Sequence, residues 1–592
     1  MGFSKSEGVK LLSLVYFAFF VISLLAYYYR PNPYIRPTSY FALLSIATAT
    51  IFVQVAVYGG SEKITTKILV FIEIVLIPFS FILTQQALYK TVLGRDPWGH
   101  MVLVYQILES GHIPSPSQAW VYSIYTKMPE FHLLNTIIIL VESTHYKWSL
   151  VVVGSATLIS IIVFMGALSS TLFREKGART VLLSLLFIGI SDNVLAMCGV
   201  SVIPNSVGVV LALAVLFIVL VLVPRTLLKA TVLTVILSIS LVFMHSVSYG
   251  FMLLELIVYA LAGVVIISGK RKYKSVKILW GIVLSSLVLG FTQWGIWDTH
   301  YLGQLISLLK LLFLGTGAEM YEKHVARIPL SLVLLSRLGM FIYFTIAGLS
   351  ILWELKRVVG LRLQVEDPYK MIFIFEALVF VGGAPVITFF WAPIAHRFWY
   401  YSEILGSIFV AIAFLDVTHR AKRRNIRAIS GITEGAVVAV LAFLMFTASV
   451  ANDDHPLVPQ YTLRTGWYDS ELVGAYFVID HGGLPIASDT DYLIDISYLA
   501  KIHGKSLSLL PYPPRSFREI YKNNNRDYIF LLRKEVVSKR YFWLGGPYWS
   551  SPHLPLKEKI TGVLSEVGIN TQGIIYNNGN VNMYYVCKGV KP

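Results

Sequence analysis

The chain has 592 residues, 56% of them hydrophobic and only 14% charged, with a mean hydropathy of +0.67. A soluble domain carries roughly 25% charge, so this composition excludes an ordinary water-soluble enzyme and a disordered chain alike. The basic excess, 49 Lys and Arg against 33 Asp and Glu for a net +16, would suit nucleic acid, but in a membrane protein it marks cytoplasmic loops. Two cysteines, Cys198 and Cys587, are too few for a disulfide framework or a Cys-based zinc site, and leave one bridge open.

Thirteen apolar runs are long enough to be spans of a ~30 Å hydrocarbon core. They fall near 10–29, 40–58, 68–88, 149–172, 180–198, 205–223, 230–244, 251–268, 278–292, 328–353, 371–391, 402–416 and 430–450, with 230–244, 278–292 and 402–416 short. The first run is too long, and lacks the small-residue cleavage site, of a removed signal peptide, so it reads as an anchor. The run 131–142, FHLLNTIIILVE, is too short to cross and reads as re-entrant or interfacial.

Alternate loops are basic: Lys63 and Lys67; Arg174, Lys176 and Arg179; Arg225 and Lys229; Lys270 through Lys277; Lys356 through Lys370; Arg420 through Arg427. All fall on one side if the N-terminus is cytoplasmic. The charge is therefore topological, and no nucleic-acid partner is expected. Residues 89–148, 293–327 and everything after about 451 are left outside, where the amphipathic stretches 99–112 and 302–317 are expected to lie along the membrane surface.

The C-terminal segment changes composition and reads as a small α/β domain. Strands are expected at 485–488, 506–510 and 526–536, a helix over 489–504, and a hairpin in GIIYNNGNVNMYYV whose Asn578-Gly579 pair suits a primed turn. The fold class is a polytopic α-helical membrane protein with about thirteen transmembrane helices over 1–450, followed by an extracytoplasmic α/β domain at 451–592.

The densest chemical signal is TVLGRDPWGHMVLVYQILESGHIP, followed by YSIYTKMPEFHLL. Asp96-Pro97 reads as a helix start, since Asp is a favoured N-cap and Pro is favoured at the first helical position. That capping role explains Asp96 without any activity. A carboxylate just outside a span, with Arg95 and His100 close by, also suits a general base. Arg397, in WAPIAHRFWYYSE after the eleventh run, suits bidentate phosphate contacts, with His396 beside it; the plain alternative is a snorkelling belt arginine. Asp192 near a span end, His245 beside Ser246 and Ser248, Asp298 in WGIWDTHYLG, Glu130, His132 and Tyr125 are further substrate-lining candidates. Each has a bland reading as a cap, a helix-packing polar group or an interface residue. The C-terminal segment has no P-loop, nucleophile elbow or metal-ligand spacing.

RDPWGH after an early span resembles the first outer-loop motif of the GT-C superfamily of membrane glycosyltransferases. G-H-I-P and YSIYTKMPEFHLL downstream are similar to that superfamily's next two pieces, in the same order over residues 94–134. The whole architecture is distantly similar to the archaeal and bacterial oligosaccharyltransferase catalytic subunit. The acceptor-reading Trp-Trp-Asp-Tyr-Gly motif of those enzymes has no match; GWYDS at 466–470 and SDTDYLI at 488–494 are the nearest strings. Asp192-Asn193 has no following acid, unlike their second acidic motif.

The resemblance implies Asp96 as the catalytic carboxylate and a sugar carried on polyprenyl phosphate as donor. Location supports that donor class, because nucleotide sugars are not available outside the cytosol. The expected activity is inverting transfer of one sugar from a polyprenyl (dolichyl) phosphate to a glycan, lipid or protein acceptor on the outer face. No cofactor is required on this reading; a divalent ion, Mg or Mn, between Asp96 and Asp192 is its metal-dependent variant. The implied location is a prokaryotic or archaeal cell membrane. The rivals are an oligosaccharyltransferase-like protein glycosylator and a non-enzymatic transporter or flippase of lipid-linked glycans. The sequence shows neither the inverted repeat nor the Gly/Pro-interrupted helix pairs that many transporters carry.

Overall fold

The computed structural model describes residues 5–58, 63–223, 226–266, 270–297, 330–360, 368–390, 392–423, 427–454, 464–509, 527–533 and 574–586, with short pieces at 302–303, 306, 310, 456–457, 541–542 and 554–555. In chain order its helices are α1 Lys5–Tyr28, α2 Thr38–Val53, α3 Ile64–Gln86, α4 Arg95–Ser110, α5 Glu130–Glu142, α6 Tyr146–Leu172, α7 Ala178–Ile190, α8 Asp192–Leu195 and α9 Pro204–Phe217. They continue with α10 Leu227–Met244, α11 Ser246–Ile266, α12 Lys270–Thr292, α13 Leu330–Gly360, α14 Pro368–Phe390, α15 Ala392–Arg423, α16 Arg427–Phe446, α17 Asp469–His481 and α18 Thr490–Ile502. The strands are β1 Ile486–Ala487, β2 Tyr528–Arg533, β3 Tyr541–Phe542, β4 Leu554–Pro555, β5 Ile574–Asn577 and β6 Val581–Val586.

Among the described residues nine helices are long and apolar enough to cross a membrane. α7 and α8, with the π-helical turn Ala196–Val200 after it, are apolar enough to cross only when taken together, and they bend by 60° around Ser191. Leu228–Met244, Trp280–Ile296 and Gly431–Phe446 are shorter apolar helices. The run expected to be short at 402–416 is instead a span of 24 residues, Ala395–Thr418. Its early turns, rich in Arg, Trp and Tyr, score low on hydropathy, yet Phe398, Tyr400 and Tyr401 are buried and carry the helix into the bundle. Gly189 stands two residues before the break, where the lack of a Cβ lets α7 pack against Pro78 of α3. α5, at 13 residues, is about 20 Å long, short of a bilayer core. The stretch 302–317 lies almost entirely outside the described residues.

The chain divides into two compact units. The first takes Met1–Gln86, Lys127–Leu314 and Ser336–Asn452, with one continuous apolar core running from Tyr16 to Ala451. Its outward faces are apolar too: Leu14, Val288 and Ile432 are each about two-thirds exposed. Water would penalise such faces, whereas hydrocarbon accepts them, and helices satisfy their own backbone hydrogen bonds there. The interior holds buried acids instead, Asp192, Glu255, Glu376 and Glu403.

The second unit takes Ala87–Thr126, Gly315–Leu335 and Asp453–Pro592. Its sheet has the order β1-β2-β6-β5, with β1 parallel to β2 and the other pairs antiparallel. Tyr528 to Arg533 pair with Val586 to Val581, which buries most of both strands. The segment expected as a second strand at 506–510 makes one bridge, Leu509 to Ile486. In the β5–β6 hairpin Asn578 does not take a positive φ; Gly579 does, at 93°. The central pair is therefore Gly579-Asn580, not Asn578-Gly579, which puts glycine where a II′ turn needs it.

Candidate active site

The start of α4 is fixed by its own unit. Gly94 is the N-cap, with φ 81°, and the helix begins at Arg95. Asp96 is thus the second helical residue and not the cap that the Asp-Pro pair suggested. Pro97 follows it without loss, because the first four N–H groups of a helix have no intrahelical partner. The Gly94 N–H donates to the Thr465 hydroxyl at 2.8 Å, and the Trp467 N–H donates to the Thr91 hydroxyl at 3.0 Å. Asp453 holds that second loop by accepting from the Thr465 N–H, its hydroxyl and the Gly466 N–H at 2.6, 2.5 and 2.9 Å. Trp98 packs on Trp467 with centroids 4.8 Å apart, and Trp467 packs on Tyr492 at 4.6 Å. GWYDS therefore serves as the seat of α4.

Asp96 and His100 stand one turn apart on α4, so they share a face. Gly99 beside them leaves room for the Tyr122 ring; a Cβ at Gly99 would sit 2.2 Å from that ring. Tyr122 adopts φ 51°, a left-handed conformation that costs a bulky residue roughly 1–3 kcal/mol. His100 packs against Tyr122 at 5.0 Å and Tyr125 at 4.8 Å. Burial pushes the Tyr122 phenol well up, and the charges of Asp96, from α4, and Asp495, from α18, push it further. The phenol is therefore a protonated donor near the Asp96 carboxylate. Tyr122, Asp495 and Tyr498 were not singled out from the sequence. They reach this face only through tertiary packing, and a strained φ has no sequence mark.

The first unit gathers a second group of candidates. At the break of the α7–α8 span, Asp192 Oδ1 accepts from the Asn193 N–H at 2.9 Å, and the Asn193 amide donates to Glu403 Oε1 at 2.7 Å. Asp192 and Glu403 both accept from Asn193, through its N–H and its side-chain amide. Arg337 of α13 bears on Asp192 and lies 4.8 Å over the Trp399 ring. The charges of Arg397 and Arg337 both act on His396, and Arg397 acts on His245. Asp192 shares Asn193 with Glu403, while Arg397 and His396 lie on α15 beside Trp399; Arg337 and Glu403 were not singled out from the sequence. Arg397 lies in the second turn of α15 and not in a loop.

Glu130 opens α5 and its Oε1 accepts from the Ser240 hydroxyl at 2.5 Å. His132 is fully buried, and burial holds its imidazole down at about 3, so it stays neutral. Arg95 and Asp96 are both half-buried. His245 Nδ1 meets the Ser248 hydroxyl at 3.1 Å, and that hydroxyl donates to Asn205, a helix-packing arrangement. Asp298 lies outside the described residues, as does Cys587, while Cys198 is a buried free thiol. Among the described residues no three His, Cys, Asp or Glu side chains gather as ligands for a metal ion.

No family model matches the chain, and no curated protein sequence matches it. Its structure is similar to the apo oligosaccharyltransferase of Archaeoglobus fulgidus, with a TM-score of 0.49 and 11% identity over 81% of this chain and 75% of that one. ArnT from Cupriavidus metallidurans bound to undecaprenyl phosphate is similar with a TM-score of 0.44 and 11% identity, over 90% of this chain and all of that one. The oligosaccharyltransferase in complex with Zn and sulfate gives a TM-score of 0.49 at 12% identity, over 78% and 68% of the two chains. At such identities the likeness concerns the fold.

Proposed function

We propose that the chain is a membrane glycosyltransferase that moves one sugar from a polyprenyl-phosphate donor to an acceptor hydroxyl on the outer face. The N-terminus and basic loops would be cytoplasmic, and residues 451–592 extracytoplasmic. The observation that carries the reading is at Asp96. Gly94 is the N-cap of α4, so capping no longer accounts for the acid, and Asp96 shares a face with His100 and the strained Tyr122. The RDPWGH pattern that resembles GT-C enzymes adds support from the sequence.

In this reaction Asp96 takes the proton of the acceptor hydroxyl as its oxygen bonds to the anomeric carbon. The bond from that carbon to the phosphate oxygen breaks with its electron pair, and polyprenyl phosphate departs. One in-line displacement inverts the anomeric centre. Arg397, with His396, stabilises the departing phosphate, since a guanidinium matches phosphate oxygens two at a time. Tyr125 lines the sugar or acceptor.

The test is transfer of radiolabelled sugar from polyprenyl-phosphate donors to extracted cell-surface acceptors by the purified, reconstituted chain. Product with inverted configuration supports the reading; no product with any donor, alongside donor movement between leaflets, supports a flippase. The broken span with Asp192 at its bend favours that second reading, because interrupted helices build transport sites.

A further inference from the structure

A cavity of about 370 Å³ opens in the first unit between the start of α3, the end of α6 and the start of α7. Phe173, Ala178, Val181 and Leu182 wall it, and Lys67, Ser170, Arg174 and Gly177 complete its lining. Phe173 and Leu182 are buried, Lys67 is half-buried and Arg174 is exposed, so the floor is apolar and the mouth is cationic. All three helix ends belong to spans, which sets the mouth at head-group level.

The cations nearby are committed elsewhere. Lys176 pairs with Glu354 at 3.2 Å and Asp416 at 3.4 Å. Lys370 pairs with Glu175 and lies 5.0 Å over the Phe173 ring. Arg357 pairs with Glu354 at 2.9 Å. Among the described residues Lys67 and Arg174 make no ion pair, yet both line the cavity. Two cations with no ion pair among the described residues, set over an apolar recess, match a molecule with an anionic head and an apolar body. A free phosphate would leave the apolar wall wet, and a neutral lipid would leave the cations unused.

We propose that this cavity binds an anionic glycerophospholipid, its phosphodiester between Lys67 and Arg174 and the start of an acyl chain against Phe173, Val181 and Leu182. Basic pockets between membrane helices hold such head groups, and each cation near the surface raises affinity about fivefold. The site is separate from the groups assigned to glycosyl transfer and does not depend on that assignment. It would tie α3 to the α6–α7 turn in the leaflet that the basic loops assign to the cytoplasm.

The test uses the full chain, delipidated in detergent, and native mass spectrometry with dioleoylphosphatidylglycerol or dioleoylphosphatidylcholine. The parent is expected to retain phosphatidylglycerol preferentially. Lys67→Gln with Arg174→Gln is expected to weaken it roughly 30-fold, while Lys67→Arg with Arg174→Lys keeps it. Ala178→Phe, which fills the recess and keeps both cations, is expected to lose the lipid and stands as the second variant if the double Gln variant fails to insert. Equal retention of the two lipids by the parent, or unchanged phosphatidylglycerol affinity in the Gln and Phe variants, would overturn the proposal. So would displacement by glycerol 3-phosphate at lipid-like concentrations, which would make the occupant a soluble anion.

Discussion

Asp96 shows what a residue's neighbours can and cannot reveal in sequence. Asp-Pro after Gly-Arg pointed to a helix start, and a helix does start there, but Gly94 takes the cap because its positive φ and its bond to Thr465 set the turn one residue earlier. RDPWGH pointed to Asp96 as a candidate but could not point to Tyr122, whose contact is with Gly99, 23 positions away. That contact makes a sharp prediction. In Gly99→Ala the new methyl must displace the Tyr122 ring, and overpacking of this kind costs about 1–3 kcal/mol. Thermal unfolding is expected to show that loss together with reduced transfer; an unchanged midpoint and rate would mean that Tyr122 does not rest on α4. Arg397→Lys keeps the charge but removes the planar fork. Donor affinity at equal folding yield is expected to fall about tenfold. If neither Lys nor Ala at 397 changes it, Arg397 is a belt anchor.

Among the elements, hydropathy located the helices because a buried or lipid-facing helix is apolar on every side. It missed the length of α15, whose early turns bury Trp399, Tyr400 and Tyr401 despite their polarity. It also missed Arg337 and Glu403, each a single charge averaged away inside an apolar window. The break between α7 and α8 rests on hydrogen bonds from Asn193 to Asp192 and Glu403, which no local pattern announces. In the second unit, strand pairing followed the alternation of VNMYYV, while the ion pairs that tie the sheet to α18 had no pattern. Arg533 of β2 donates to Asp489 at 2.9 and 2.5 Å, and Asp489 caps α18 by accepting from the Tyr492 N–H. All three are buried. Breaking such a pair leaves a buried charge, at a cost of about 3–5 kcal/mol. Arg533→Met is expected to destabilise the unit by that amount in denaturant unfolding, with little change in Asp489→Asn, Arg533→Met beyond it. A shift under about 1 kcal/mol would show the pair to be solvent-screened.

For the whole molecule, the basic loops predict sidedness. With Cys587→Ser as background, a cysteine at exposed Lys505 is expected to react with an impermeant maleimide in intact cells, and one at exposed Lys356 only after permeabilisation. The reverse pattern would invert the topology and remove the outer-face reaction. The central claim is that Asp96 is a base and not a structural residue. Asn at 96 has nearly the same shape but cannot take the acceptor proton, and general-base catalysis contributes roughly 10²–10⁴-fold in rate. The decisive measurement is sugar transfer from a polyprenyl-phosphate donor by purified Asp96→Asn beside the parent, with insertion, unfolding midpoint and donor binding checked for both. The expected result is a folded, donor-binding protein whose transfer falls at least about a hundredfold. Transfer within a few-fold of the parent would contradict the account and leave Asp96 a structural member of α4.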